Sequence, residues 1–315
     1  MPTSVQLTRR RFLGRTLAAG ATSLAVSQLH AETAADGPPY LDDRGWVIGC
    51  WTRPWAKEDY RVAMDAVAEA GFKYIALTGA KTKTRRVIAP ATTLEESQRV
   101  GEESRKRGLT ITNVYGGGVP LHEGGESLRK MIDNCAAAGA WSVLLAHMGG
   151  EETFRESCKT VADCCDYAAE KRVAVVLKPH GGTTGTGPQL RRAVELVGRD
   201  NFTLMYDPGN IYYYSDGQVE PVEDCAAVDG LVTGMSVKDY RHPKNVALTP
   251  GTGQVDFPAL VARLRKGGFT HGPLVIETLA PGDADHTLKE AVKARRFVEA
   301  LVGDSRSPGR PANRE

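Results

Sequence analysis

The apolar runs of this chain stop on residues that can do chemistry. Val173–Leu177 runs into Lys178, with His180 two positions on. Phe202–Tyr206 runs into Asp207 and then Asn210, and Pro273–Ile276 runs into Glu277. Ser236, Lys238 and Asp239 close a further run. Residues two apart on a strand share a face, so Lys178 goes with His180 and Ser236 with Lys238. A carboxylate at the end of a buried strand needs a cation or a hydrogen-bonding partner, which marks Asp207 and Glu277 as functional candidates. Earlier runs end at Trp51 and Arg53, Thr78, Tyr115 and His147. His147 suits a hydrogen-bonded structural role as well as proton transfer. Trp51, Trp55 and Tyr115 suit rim packing or stacking on a sugar ring. Lys238-Asp239 reads equally as a surface ion pair. Asn210, Arg241 and His242 are candidate substrate contacts.

These residues must be positioned by elements, and the elements alternate. Candidate strands lie at 46–51, 73–78, 109–115, 141–147, 173–178, 202–206, 231–237 and 273–278. Amphipathic segments follow at 59–70, 93–107, 126–138, 152–171, 188–197, 221–228, 257–266 and 287–302. Gly71, Gly108, Gly139 and Gly267 stand where left-handed C-caps are needed. Thr92 or Thr93, followed by Glu95 and Glu96, reads as an N-cap with acids in the first turn. Strict alternation predicts a parallel sheet, and eight repeats predict a single-domain α/β (β/α)8 TIM barrel whose chemistry sits at the strand C-termini. An open doubly wound sheet is the alternative, but no GxGxxG follows the first strand. Gly116-Gly117-Gly118 and Gly181-Gly182 also lack that spacing and read as loops.

The chain of 315 residues carries 40 basic and 38 acidic side chains, a net charge of +2. The first 35 residues hold Arg9, Arg10, Arg11 and Arg15 against Glu32 alone, so the rest has a net charge of −1. That balance argues against a nucleic-acid partner. No run reaches the roughly 18 apolar residues of a membrane span. Thr8-Arg9-Arg10-Arg11-Phe12-Leu13-Gly14, a mild apolar stretch at 17–29 and the small-residue segment 31–35 resemble a twin-arginine export signal. Residues 1–35 are therefore expected to be a removable signal, 36–303 the barrel and 304–315 a disordered polar tail. The expected location is periplasmic or exported. The six Cys form no CxxC pair and read as small core residues, with one disulfide possible.

Four motifs together resemble the xylose isomerase-like TIM-barrel proteins, the sugar phosphate isomerase/epimerase group. They are Tyr206-Asp207-Pro208-Gly209-Asn210, Ser236-Val237-Lys238-Asp239, Gly251-Thr252-Gly253-Gln254-Val255-Asp256-Phe257 and Gly272-Pro273-Leu274-Val275-Ile276-Glu277. The resemblance implies a small carbohydrate substrate and removal of a proton α to a carbonyl. It also implies a divalent metal (Mn, Mg or Zn) on a Glu, Asp, His, Glu set, with the glutamates moving the proton. Asp207 and Glu277 match that set. Lys178 stands where its first Glu would be, in Lys178-Pro179-His180, and Ser236 stands where its His would be.

Three readings follow. A metal could be held by Asp207, Glu277 and His180, with water or Ser236 completing the shell. Lys178 could instead replace the metal as oxyanion partner, with Glu277 as base and His180 or His147 as acid. Lys178 could also merely neutralise the carboxylates of a sugar-binding barrel. The expected catalytic residues are Glu277, Lys178 and His180. The expected substrate contacts are Trp51, Tyr115, His147, Asn210, Lys238 and Arg241. A lyase or hydrolase acting on keto-sugars would use the same proton abstraction. DNA endonucleases that share the barrel need a three-zinc cluster, and the seven His of this chain do not supply one.

Overall fold

The computed structural model describes residues 45–118 and 121–303. The export segment and the polar tail expected at the two ends lie outside these residues. Eight strands, β1 (Trp46–Trp51), β2 (Tyr74–Leu77), β3 (Thr110–Gly118), β4 (Ser142–His147), β5 (Ala174–Leu177), β6 (Phe202–Tyr206), β7 (Val232–Val237) and β8 (Gly272–Ile276), close into a parallel barrel in chain order. The ring is sealed by β8 on β1, from Trp46 opposite Gly272 to Cys50 opposite Ile276. The expected (β/α)8 barrel is the fold observed.

Helices pack outside: α1 (Tyr60–Glu69), α2 (Leu94–Lys106), α3 (Glu126–Ala138), α4 (Phe154–Glu170), α5 (Gly187–Val197), α6 (Pro208–Tyr214), α7 (Pro221–Asp224), α8 (Phe257–Lys266) and α9 (Ala284–Gly303). Thr93 and Glu96 cap α2 reciprocally, satisfying two of its free N–H groups. Two expectations are corrected. The left-handed residue after α8 is Gly268 (φ 100°), because Gly267 continues the helical turn (φ −78°). The short helix α6 begins directly after β6, because Asp207 leaves the strand as an N-cap, its Oδ1 accepting the Asn210 N–H at 2.9 Å, and Pro208 presets the first turn. No described helix is long and apolar enough to cross a membrane. All six Cys are buried and unpaired, in keeping with core packing.

Strand alternation decides which side chains enter the barrel. Val173, Val175 and Leu177 face the helices, as do Leu204 and Tyr206, Met235 and Val237, Leu274 and Ile276. Ala174, Val176, Met205 and Val275 fill the barrel interior with Val47, Trp51, Ala76, Trp141 and Leu144. The same alternation carried one step further turns Lys178, Asp207, Ser236 with Lys238, and Glu277 inward at the C-terminal mouth. An apolar layer lies directly beneath them.

Candidate active site

Four neighbouring strand ends converge. Lys178 follows β5, Asp207 follows β6, Ser236 and Lys238 belong to the end of β7, and Glu277 follows β8. All five are buried, none more than 4% exposed. The Lys178 ammonium lies 2.9 Å from Asp207 Oδ2 and 2.5 Å from Glu277 Oε2. The Lys238 ammonium lies 3.1 Å from Asp207 Oδ2 and 2.6 Å from Glu277 Oε1. Ser236 Oγ donates to Glu277 Oε2 at 2.6 Å, and the half-exposed Arg53 guanidinium pairs with Oε1. Two ammonium groups thus bridge two carboxylates.

The charges hold one another in place. Burial alone would raise the Glu277 carboxyl, but Lys178, Lys238 and Arg53 outweigh it and hold it well below the usual carboxylate range. Burial would likewise lower Lys178, and Asp207 with Glu277 outweigh it, keeping this ammonium charged above its ordinary value. Lys238 goes the other way: burial lowers it, only partly offset by Asp207 and Glu277. His180 is lowered to about 4 by burial and then by Lys178, so its ring is neutral near pH 7. The Tyr214 hydroxyl lies 2.9 Å from its Nδ1 and 3.2 Å from its Nε2. One hydroxyl serves one ring nitrogen at a time and leaves the other available. His147 packs edge-on against His180, ring centroids 4.5 Å apart.

A cavity of about 260 Å³ opens above this cluster, lined by Trp51, Arg53, Tyr115, Lys178, His180 and Glu277 among others. Trp51 and Tyr115 therefore stand at the cavity, although Trp51 is only 1% exposed and its indole N–H has no protein partner. Other expected substrate contacts fall elsewhere. Lys238 and Asn210 lie beneath: Asn210 accepts from Lys238 Nζ at 2.9 Å and donates to the Pro179 carbonyl at 2.7 Å, so it positions Lys238. His147 lines a neighbouring cavity. Arg241 is absent from the cavity lining, because its guanidinium donates to the Thr252 carbonyl and its backbone pairs with Asn245.

Lys238-Asp239 is not a surface ion pair. Asp239 is fully buried and accepts the backbone N–H groups of Tyr240 (2.8 Å), Gly251 (2.9 Å), Gly253 (2.7 Å) and Val255 (3.2 Å). It thereby folds the glycine-rich loop before α8. A Cβ on Gly253 would lie 2.2 Å from the Asp239 carboxylate, so only glycine fits there.

Arg85 and Arg86, in the loop after β2, also line the cavity and were not singled out from the sequence. The signal was the basic run Lys81-Thr82-Lys83-Thr84-Arg85-Arg86, which looks like an ordinary solvated surface until the loop folds over the barrel mouth.

The residues do not fit a divalent cation. The expected ligand set of Asp207, Glu277 and His180 does not assemble: both carboxylates are spent on ammonium groups, and the His180 ring bonds Tyr214. Among the described residues, no group of three or more His, Cys, Asp or Glu side chains could hold a metal. A divalent ion between Asp207 and Glu277 would sit against two lysine charges. Purified protein is therefore expected to carry no stoichiometric Mn, Mg or Zn by elemental analysis, and chelation is expected to leave its activity unchanged. Any of the three metals at one per chain would refute this.

A parallel eight-stranded barrel with its ionisable residues gathered at the strand C-termini defines an enzyme-like (β/α)8 protein. The chain matches the family described as xylose isomerase-like TIM barrel over residues 64–301, and it belongs to that family. It is 25% identical over 154 residues to inosose dehydratase of Histophilus somni (strain 129Pt), a match covering 43% of this chain and 51% of that protein, so only about half of the relative's length. Its fold is similar to that of a xylose isomerase domain protein from Planctomyces limnophilus (TM-score 0.66, 20% identity, 82% of this chain and 98% of that one). It is also similar to D-allulose 3-epimerase from Methylomonas sp. (TM-score 0.65, 18% identity, 82% and 98%). A third similar structure, the IOLI protein, has a bound zinc atom (TM-score 0.63, 16% identity, 82% and 99%).

Proposed function

We propose that the protein is a sugar isomerase or epimerase that removes a proton α to a carbonyl, with Lys178 in place of a metal ion. The observation that carries this reading is the Lys178 ammonium clamped between Asp207 and Glu277 at the cavity floor. The carbonyl oxygen of a small carbohydrate lies against Lys178 and Arg53. His180, neutral and facing the cavity, takes the proton. The C–H electron pair becomes the C=C bond of an enediolate, and the carbonyl π pair moves onto the oxygen held by the ammonium. A fixed positive charge stabilises that oxyanion without reorganisation. In isomerisation the proton returns from the imidazolium to the neighbouring carbon, and the hydroxyl proton passes between the two oxygens.

This assigns the base differently from the sequence-based expectation. A carboxylate bound by three cations and a hydroxyl is a weak base, so Glu277 serves to hold Lys178, Lys238 and Arg53. A second reading, dehydration, shares the first step: a β-hydroxyl then leaves with the imidazolium proton as water. The partial similarity to inosose dehydratase favours keeping it.

The test is deuterium uptake from D2O into a sugar panel after chelation. Wild-type protein is expected to exchange and His180→Gln to fall to background. No exchange on any sugar would overturn the reading. The pH profile adds a sign. The His180 pKa is lowered to about 4, so kcat/KM should hold down to about pH 5 and fall only as pH drops through about 4, where the ring protonates and cannot accept. An acid limb near 6.5, the ordinary imidazole value, would show that burial and Lys178 do not lower His180 in the free enzyme, and loss of exchange in His180→Gln would then carry the assignment of the base alone.

Export is part of the same proposal, with residues 1–35 as signal, 36–303 as barrel and 304–315 as tail. Arg9→Lys with Arg10→Lys is expected to leave full-length precursor in the cytoplasm on fractionation. Normal export of that variant would exclude the twin-arginine route.

A further inference from the structure

The loop from Gly79 to Val87 is built to hold two arginines over the barrel mouth. Gly79 and Arg86 form an antiparallel bridge, and the Val87 N–H donates to the Thr78 carbonyl at 2.9 Å. Thr82 Oγ1 donates to the Arg86 carbonyl at 2.7 Å and accepts the Arg86 N–H at 3.1 Å. Arg85 sits in the left-handed region, φ 57°, where long side chains are uncommon and which the surrounding bonds must enforce. Arg86 stacks over the Tyr115 ring at 5.0 Å and donates to the Gly116 carbonyl at 3.2 Å, which fixes its guanidinium. Neither arginine has an acidic partner among the described residues.

The charge in the cavity is lopsided. Arg53, Arg85, Arg86 and Lys178 line it against the single carboxylate of Glu277, and that carboxylate is already neutralised by Lys178, Lys238 and Arg53. With Asp207 behind it, the cluster sets two carboxylates against Lys178, Lys238 and Arg53, so the charges of Arg85 and Arg86 are left over. His180 adds no positive charge near neutral pH. A concave site with unneutralised guanidinium groups focuses its field on anions. Guanidinium forks match carboxylate and phosphate oxygens two at a time. At about 260 Å³ the cavity is slightly smaller than the usual range of ligand pockets, roughly 300–1,000 Å³, which suits a ligand no larger than one sugar unit.

We infer that the substrate is an anionic carbohydrate, with its carboxylate or phosphate held by Arg85 and Arg86 while its carbonyl end lies at Lys178. This rests on the enzymatic reading above and narrows it, because D-allulose 3-epimerase, one of the similar barrels named above, takes its name from a neutral sugar. Arg85 and Arg86 act here as binding residues and leave the proton transfer to His180.

Calorimetry on the full chain tests the inference with fructose, galacturonate, fructose 6-phosphate and inorganic phosphate. One or both anionic sugars should bind at least about tenfold more tightly than fructose, as one charge-assisted hydrogen bond requires. Their ratio separates a carboxylate from a phosphate ligand. Arg85→Gln removes a side chain with no described protein partner. It should weaken the anionic sugars by about tenfold and leave fructose unchanged, and raising the salt should do the same. Fructose binding as tightly as both anions, no binding of any anionic probe, or anion affinity unchanged in Arg85→Gln would each overturn the inference. Deuterium exchange is read separately. Anionic sugars that bind without exchanging would leave the charge preference standing and sink the enzymatic reading, and neutral sugars that exchange well would do the reverse.

Discussion

Lys178→Met is expected to reduce turnover by roughly 10²–10³-fold, the usual cost of deleting one oxyanion donor. The same change leaves Asp207 and Glu277 buried and close together with one ammonium fewer between them. Removing one partner of a buried ion cluster costs about 3–5 kcal/mol, so the midpoint of denaturant unfolding should fall as well. The two effects are separable. Lys178→Arg retains the charge and should recover most of the stability, but its planar fork displaces the donor and should recover little of the turnover. Full turnover in Lys178→Met, measured on folded protein, would eliminate the proposed oxyanion role.

Asp239→Ala should destabilise the barrel by at least about 3 kcal/mol, since hydrogen bonds to a charged group contribute roughly 1.5–3 kcal/mol each. Four backbone N–H groups, from Tyr240, Gly251, Gly253 and Val255, lose their acceptor together. The loop they close leads into α8, whose N-cap is Asp256, with Oδ1 accepting the Ala259 N–H at 3.0 Å. Asp239→Asn keeps one carbonyl oxygen and should cost less than Asp239→Ala. A loss below about 1 kcal/mol for Asp239→Ala would show that water replaces the carboxylate at little cost. Lys238 should remain in place in both variants, because its partners are Asp207, Glu277 and Asn210 rather than Asp239.

Most of the barrel could be read from residue order, because its signals are local. The run Val173–Leu177 is apolar at every position because its alternate residues face helices on one side and the barrel interior on the other. Thr93 and Glu96 are three apart and cap their own helix. The strand-end positions of Lys178, Asp207, Ser236, Lys238 and Glu277 follow from counting in twos. Local rules did less well where the chain leaves the strands. Asp207 caps α6, and Gly268 takes the left-handed turn one residue later than Gly267 would.

What each polar residue meets was not legible in the same way. Lys178 and Glu277 are 99 positions apart, and Arg53 and Glu277 are 224 apart. Arg241 stood beyond a strand end like the others, yet its guanidinium turned to the Thr252 carbonyl. Arg85 and Arg86 belonged to a basic run with no visible target until the loop closed over the mouth. Alternation along a strand settles which side chains face the barrel axis, since a period of two needs only near neighbours. Closure of the sheet settles which strand ends share a point, since that depends on the stagger of all eight strands together. The composition and order of this chain therefore specified a barrel with charged ends. Only the closed sheet put two ammonium groups between two carboxylates, where opposite charges removed from water must find one another.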